Sequence, residues 1–162
     1  MIKEKSNDSI EHKSGIIHTD NLRPRHKVSS SSSLSHNAQR HKRILVVDDN
    51  PDVAFTLRIG LENSDPTMKV YSFDNPVTAL LEFKPNFYDL LLIDVNMPMM
   101  DGFQLTQKLL QKDLNVRVCF MTSGEFNMDA AREVHPLKSI GCFIKKPIST
   151  EQLVRRVRAE LE

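Results

Sequence analysis

Short apolar runs alternate with amphipathic stretches from Arg43 to Glu162. Five runs read as strands: Ile44–Val47, Met68–Phe73, Asp89–Ile93, Val116–Met121 and Cys142–Ile144. Four are nearly continuous in apolar character, the pattern of a strand covered on both faces, while Met68–Phe73 alternates in part and suits an edge. Between the runs, apolar residues recur at helical spacing. They are Val53, Leu57 and Leu61, then Val77, Leu80 and Leu81, then Phe103, Thr106 and Leu110. A weaker stripe of Phe126, Ala130 and Val134 ends near Pro136, and Leu153, Val154, Val157 and Leu161 form the last. Asn50-Pro51 and Asn75-Pro76 each supply an N-cap and a proline suited to the first helical position. Asp101-Gly102 reads as a turn opening a helix, and Ser149 with Gln152 as a capping box. Five strand–helix units predict an α/β fold: a parallel sheet with helices on both faces, which binds ligands at the carboxyl ends of its strands.

Those strand ends carry the chemistry. The first run ends in Asp48-Asp49, the third in Asp94, the fourth in Thr122-Ser123, and the fifth leads into Lys145-Lys146-Pro147. Three carboxylates gathered at one edge repel each other unless a cation joins them. Mg²⁺ accepts oxygen ligands and needs only one or two carboxylates, which makes Asp49 and Asp94 the candidate direct ligands. Asp48 would then bind through water, and Asn96 would offer its backbone carbonyl. A carboxylate is also a nucleophile able to form an aspartyl phosphate, and Asp94 lies at the centre of the group. Lys146 and Thr122 would hold phosphoryl oxygens by charge and by hydroxyl hydrogen bond. Read singly, Asp48-Asp49 fit a turn and cap, and Met97, Met99 and Met100 around Pro98 read as loop packing. Four strand ends bearing complementary groups read as one phosphoryl-handling site.

Residues 1–41 contrast with the rest. They hold the serine run Ser29 to Ser33 and five of the six histidines, with few large apolar side chains, and read as a disordered basic tail. Residues 1–43 carry nine Lys/Arg against four Asp/Glu, a net of +5, while residues 44–162 carry thirteen against seventeen, a net of −4. The acidic balance gives no support for nucleic-acid binding by the domain. Cys119 and Cys142 lie inside apolar runs without CxxC spacing and read as a buried thiol pair in a reducing compartment. No apolar run reaches the ~18 residues of a membrane helix, and no signal-peptide core is present, so a cytoplasmic location is expected.

The quoted stretches resemble the response-regulator receiver domain of two-component signalling, the family of the bacterial chemotaxis regulator. The resemblance rests on Val46-Val47-Asp48-Asp49, on Asp94-Val95-Asn96-Met97-Pro98-Met99-Met100-Asp101-Gly102, on Met121-Thr122-Ser123-Gly124 and on Lys145-Lys146-Pro147, and covers about residues 43–162. It implies a flavodoxin-like doubly wound (βα)5 domain over 42–162 with strand order 2-1-3-4-5. It implies that a sensor histidine kinase or phosphotransfer protein donates to Asp94 with Mg²⁺, that Lys146 precedes a cis proline bond, and that Thr122 and Phe143 form the switch. The output surface would be the fourth helix, fifth strand and fifth helix, used by a downstream protein or by a second copy. Arg155, Arg156 and Arg158 on that last helix are either solvated charge or partner contacts. Gly124 leaves the phosphoryl group open to water, so a short-lived phosphorylated form is expected. With no output domain after Glu162, the expectation is a stand-alone phosphoacceptor rather than an enzyme.

Three other functions compete. An aspartyl phosphohydrolase would carry an acid two residues past its nucleophile, where this chain has Asn96. A binding module that is never phosphorylated would not need the full set of acids, threonine and lysine. A DNA-associated regulator would use the basic segments Arg23 to Lys27 and Arg40 to Arg43.

Overall fold

The computed structural model describes residues 40–124 and 140–162. The expectation for residues 1–39 and the predicted helix over 126–134 lie outside them. The described elements are β1 (Lys42–Val47), α1 (Pro51–Ser64), β2 (Met68–Phe73), α2 (Pro76–Glu82), β3 (Leu90–Asp94), α3 (Gly102–Lys112), β4 (Arg117–Thr122), β5 (Ile140–Lys145) and α4 (Thr150–Leu161). The strands form one parallel sheet in the order β2-β1-β3-β4-β5. This is the doubly wound order expected, with β2 at an edge. Among the described residues, no helix is long and apolar enough to cross a membrane.

Strand residues alternate between two cores. Leu45, Val47, Leu91, Ile93, Val118 and Phe120 face α2 and α3. Ile44, Val46, Leu90, Leu92, Cys119 and Met121 face α1 and α4, where Leu61, Leu153, Val154 and Val157 cover them. Coverage on both faces explains why the strands are almost wholly apolar. Burying each large side chain contributes roughly 1.5–3 kcal/mol relative to exposure.

The helix starts follow the caps. Asn50 accepts from the amides of Asp52 and Val53, and Asn75 from those of Val77 and Thr78, satisfying donors with no intrahelical partner. Asp101 with Gln104, and Ser149 with Gln152, close reciprocal capping boxes. The buried stripe of α2 differs from the expected one: Val77 and Leu81 are exposed, and Pro76, Ala79 and Phe83 are buried, with Leu80 partly so. The proline itself packs inward, which rotates the seven-residue helix away from the larger aliphatics. Asp89 lies just before β3, where its carboxylate accepts from the Arg43 amide at 2.7 Å while its own amide donates to the Arg43 carbonyl. That clamp aligns the amino ends of β1 and β3.

The cysteines correct the expectation of a reduced thiol pair: Cys119 and Cys142 form a disulfide. They stand in register on β4 and β5 with their Cα atoms 4.6 Å apart, both turned toward α4. Spacing along the chain does not reveal cross-strand neighbours 23 residues apart. The bond also removes the argument from unpaired cysteines for a reducing compartment.

Candidate functional site

The parallel register delivers the carboxyl ends of β1, β3, β4 and β5 to one edge. Asp48 follows β1 directly, Asp94 ends β3, Thr122 ends β4, and Lys146 follows β5. The Lys146 amide donates to the Thr122 carbonyl at 2.7 Å, which carries the β4–β5 ladder one step further and fixes where the lysine side chain begins. The Lys146–Pro147 peptide is cis, in line with the resemblance.

Lys146 Nζ lies 2.6 Å from Asp48 Oδ2 and 2.5 Å from Asp94 Oδ1, bridging the two acids. Both carboxylates are almost fully buried, and the lysine side chain is 21% exposed. Asp48 Oδ1 accepts the Asn50 amide at 3.1 Å, and Asp94 Oδ2 accepts the Asn96 amide at 2.9 Å. Every carboxylate oxygen of this pair is therefore aimed by a donor. Burial pushes the Asp94 carboxyl above its ordinary range; Lys146 opposes that rise and the charge of Asp48 adds to it. Burial works against the Lys146 ammonium, but hydrogen bonds and charge from Asp48 and Asp94 outweigh it and hold its pKa above the usual lysine value. A cation shared by two anions in a half-dry site prefers to stay protonated.

Of the residues singled out from sequence, Asp48, Asp94 and Lys146 are brought into direct contact. Thr122 is buried beside them, its Oγ1 accepting the Gly124 amide at 3.4 Å. Asp49 is exposed beside Asp48, and Asn96 is exposed beside Asp94. Phe143 is half-buried on β5, stacked on Phe120 with ring centres 5.4 Å apart. Phe120 in turn meets Phe103 of α3 at 4.5 Å, so an aromatic row runs under the site from α3 to β5. Of the loop methionines, Met97 packs inward, whereas Met99 is 72% exposed with φ 68°, a conformation uncommon outside glycine.

Sequence reasoning missed two features. Gly102 starts α3 where any Cβ would overlap the Asp94 carbonyl oxygen, so its glycine character belongs to the site and not only to the turn. An open groove of about 460 Å³ also leads to Lys146, lined largely by apolar atoms of Val53, Leu57, Met121, Pro147 and Ile148. The apolar residue at position 148, after Lys-Pro, was the available signal for the groove.

The oxygen donors fit a hard divalent cation. Asp48, Asp49 and Asp94 bring three formal negative charges against one from Lys146, so the cluster carries an excess of negative charge that a cation would offset. Carboxylate and carbonyl oxygens without sulfur or imidazole suit Mg²⁺.

Comparison with known proteins identifies the family of the domain. The response regulator receiver domain family matches residues 44–158. The cyclic di-GMP phosphodiesterase response regulator RpfG of Xanthomonas campestris pv. campestris is 31% identical over 128 residues, which are 76% of this chain and 33% of that protein. The DNA-binding response regulator MtrA of Mycolicibacterium smegmatis is 31% identical over 121 residues, 74% of this chain and 50% of that protein. This chain thus spans a third to a half of the length of those relatives. The non-phosphorylated HemR receiver domain of Leptospira biflexa superposes with a TM-score of 0.66 at 25% identity, covering 75% of this chain and 94% of that one.

Proposed function

This chain belongs to the response regulator receiver domain family, and from that premise we propose that Asp94 accepts a phosphoryl group from a phosphohistidine donor. The observation that carries this reading is the Lys146 ammonium seated between Asp48 and Asp94 at the strand edge. In the transfer, an Asp94 carboxylate oxygen attacks phosphorus as the bond to the donor's imidazole nitrogen breaks. The imidazole leaves and takes up a proton, and an acyl phosphate remains on Asp94. Lys146 shifts from the carboxylate to a phosphoryl oxygen while retaining Asp48, and Thr122 donates its hydroxyl to a second oxygen. Asp48, Asp49, Asp94 and the Asn96 carbonyl would hold Mg²⁺, which supplies charge neutralisation and alignment for the incoming group. The apolar groove beside Lys146 gives the donor protein a route to the acid.

The phosphorylated state would then draw Thr122 inward and let Phe143 follow, since β4 and β5 are tied through the Lys146 amide. The resulting change on β5 and the last helix is the output that a downstream protein reads. The domain acts as a phosphoacceptor that also promotes its own dephosphorylation, and not as an enzyme turning over external substrates. Asn96 at the position where a phosphohydrolase would carry a second acid supports that distinction; its contact with Asp94 is made by the backbone N–H.

The test is incubation of the full chain with Mg²⁺ and acetyl phosphate, followed by intact mass. We expect one phosphoryl addition that requires Mg²⁺ and disappears in Asp94→Asn. Equal labelling of Asp94→Asn, or sustained turnover of a generic phosphate ester, would overturn the assignment.

A further inference from the structure

The disulfide lies away from the acid cluster, and the phosphotransfer chemistry makes no use of it. Cys119 is fully buried and Cys142 is 6% exposed, and the link joins β4 to β5, which lies at the edge of the described sheet opposite β2. Immediately before it the β4–β5 ladder slips: Val118 pairs with Ile140 and Cys119 with Cys142, which leaves Gly141 as an extra residue. Beyond the link the register runs true, setting Phe143 opposite Phe120 and Lys145 opposite Thr122. The bond therefore pins the register at the one place where the ladder is irregular, upstream of every functional residue on β5.

A third group completes the cluster. The carboxylate of Glu160, on α4, lies within 4.8 Å of both sulfurs and is 19% exposed, so among the described residues it sets a partly solvated acid beside the buried pair. It packs so closely over Gly141 that a side chain there would overlap it, and Arg117 stands 3.9 Å away on its other side. A proton-carrying group between a buried sulfur pair and water is what thiol–disulfide exchange in a dry site needs, because thiols and thiolates must trade protons as the bond opens and closes.

We propose that Cys119–Cys142 is a redox-active site for dithiol reductants, with Glu160 as its proton relay, and that opening it loosens edge strand β5. A reductant thiolate attacks Cys142 Sγ, on the cysteine that keeps some exposure. The Cys119–Cys142 bond breaks, Cys119 leaves as a thiolate, and it takes up a proton passed from solvent through Glu160. The reductant's second thiol, after losing its proton, attacks the mixed disulfide and releases Cys142, which is protonated in turn. Two electrons pass from the dithiol to the protein, giving two thiols and an oxidised reductant. With the link open, β5 is held to β4 by backbone hydrogen bonds and packing, and among the described residues no strand pairs with its far edge. By the loop-closure entropy of a 23-residue separation, opening of β5 becomes up to roughly three hundredfold more frequent.

The experiment equilibrates the folded full chain with graded ratios of oxidised and reduced dithiothreitol, traps thiols by alkylation, and reads intact mass and amide hydrogen exchange. We expect a reversible two-electron transition, faster exchange over 140–145 in the reduced form, and the same exchange in Cys142→Ser regardless of redox buffer. Glu160→Gln should slow the approach to equilibrium from both directions and flatten its pH dependence, which a packing role would not do. A disulfide reduced only after unfolding in urea overturns the proposal. So does a reduced pair that binds Zn²⁺ and resists reoxidation, which would make the cluster a metal centre. All of these readouts are independent of phosphorylation.

Discussion

Replacing Gly102 by alanine adds a single methyl group where the first turn of α3 meets the end of β3. The new carbon would overlap the carbonyl oxygen of Asp94 and stand 3.0 Å from both the Asp94 carbonyl carbon and Val95 Cα. Carbon atoms rest comfortably at about 3.5–4.0 Å, so half an ångström or more must be found, and every opposing atom is backbone. The Gly102 amide is also bonded to the Val95 carbonyl at 2.9 Å, so the helix start cannot swing aside without losing that bond. Overpacking of this kind costs roughly 1–3 kcal/mol. Alanine's better helix propensity returns about 0.5–1 kcal/mol. The expected net is a loss of about 1–2 kcal/mol, read as a lower urea midpoint at unchanged slope. The backbone that must move carries Asp94, so acetyl phosphate labelling should also slow. A variant as stable as the parent and labelled at the same rate would refute the argument that this close approach positions the acid.

Two further substitutions probe the site and the core. Lys146→Met leaves Asp48 and Asp94 facing each other in a buried site, and should cost about 2–3 kcal/mol at neutral pH, at or below the lower end for a broken buried pair because the lysine is partly exposed. In the parent, Lys146 has a folded pKa above its ordinary 10.5, so its contribution is complete below that value and fades as pH rises through the folded one. In the variant Asp94, already pushed up by burial, loses the lysine that opposes that rise and favours its protonated form, so the deficit should shrink on acidification; urea titrations showing a deficit independent of pH would count against this ion triad. Thr106 Oγ1 is buried on α3 with no hydrogen-bond partner, so Thr106→Val should be neutral or stabilise by up to about 1–2 kcal/mol, and a clear loss in thermal unfolding would mean the hydroxyl is satisfied.

Most of the sheet was legible because its strands are covered on both faces, which forces unbroken apolar runs between cap and turn residues. The strand ends shifted by a residue or two: β1 starts at Lys42 and β3 runs Leu90–Asp94, since hydrogen bonding continues past the last apolar side chain. The acids, Thr122 and Lys146 were legible because each follows an apolar run directly, and parallel strands bring such positions to one edge. Which acid takes the lysine was not: Asp48 turns inward and Asp49 stays exposed, a choice made by the Asn50 amide that holds Asp48. Nor was the α2 stripe, where Pro76 replaced Val77 and Leu81 on the inner face. The disulfide depended on a slipped register at Gly141, which no local pattern announces.

Among the described residues, the two side-chain layers lie on opposite faces of the sheet that divides them. Leu45 and Val46 are neighbours in the chain yet belong to different interiors, as do Leu91 and Leu92. Paired truncations on opposite sides should therefore sum, whereas pairs on one side should interfere. A truncation in the α1–α4 interior should leave the packing of the aromatic row beneath the acids in place, although that interior also holds the Cys119–Cys142 link.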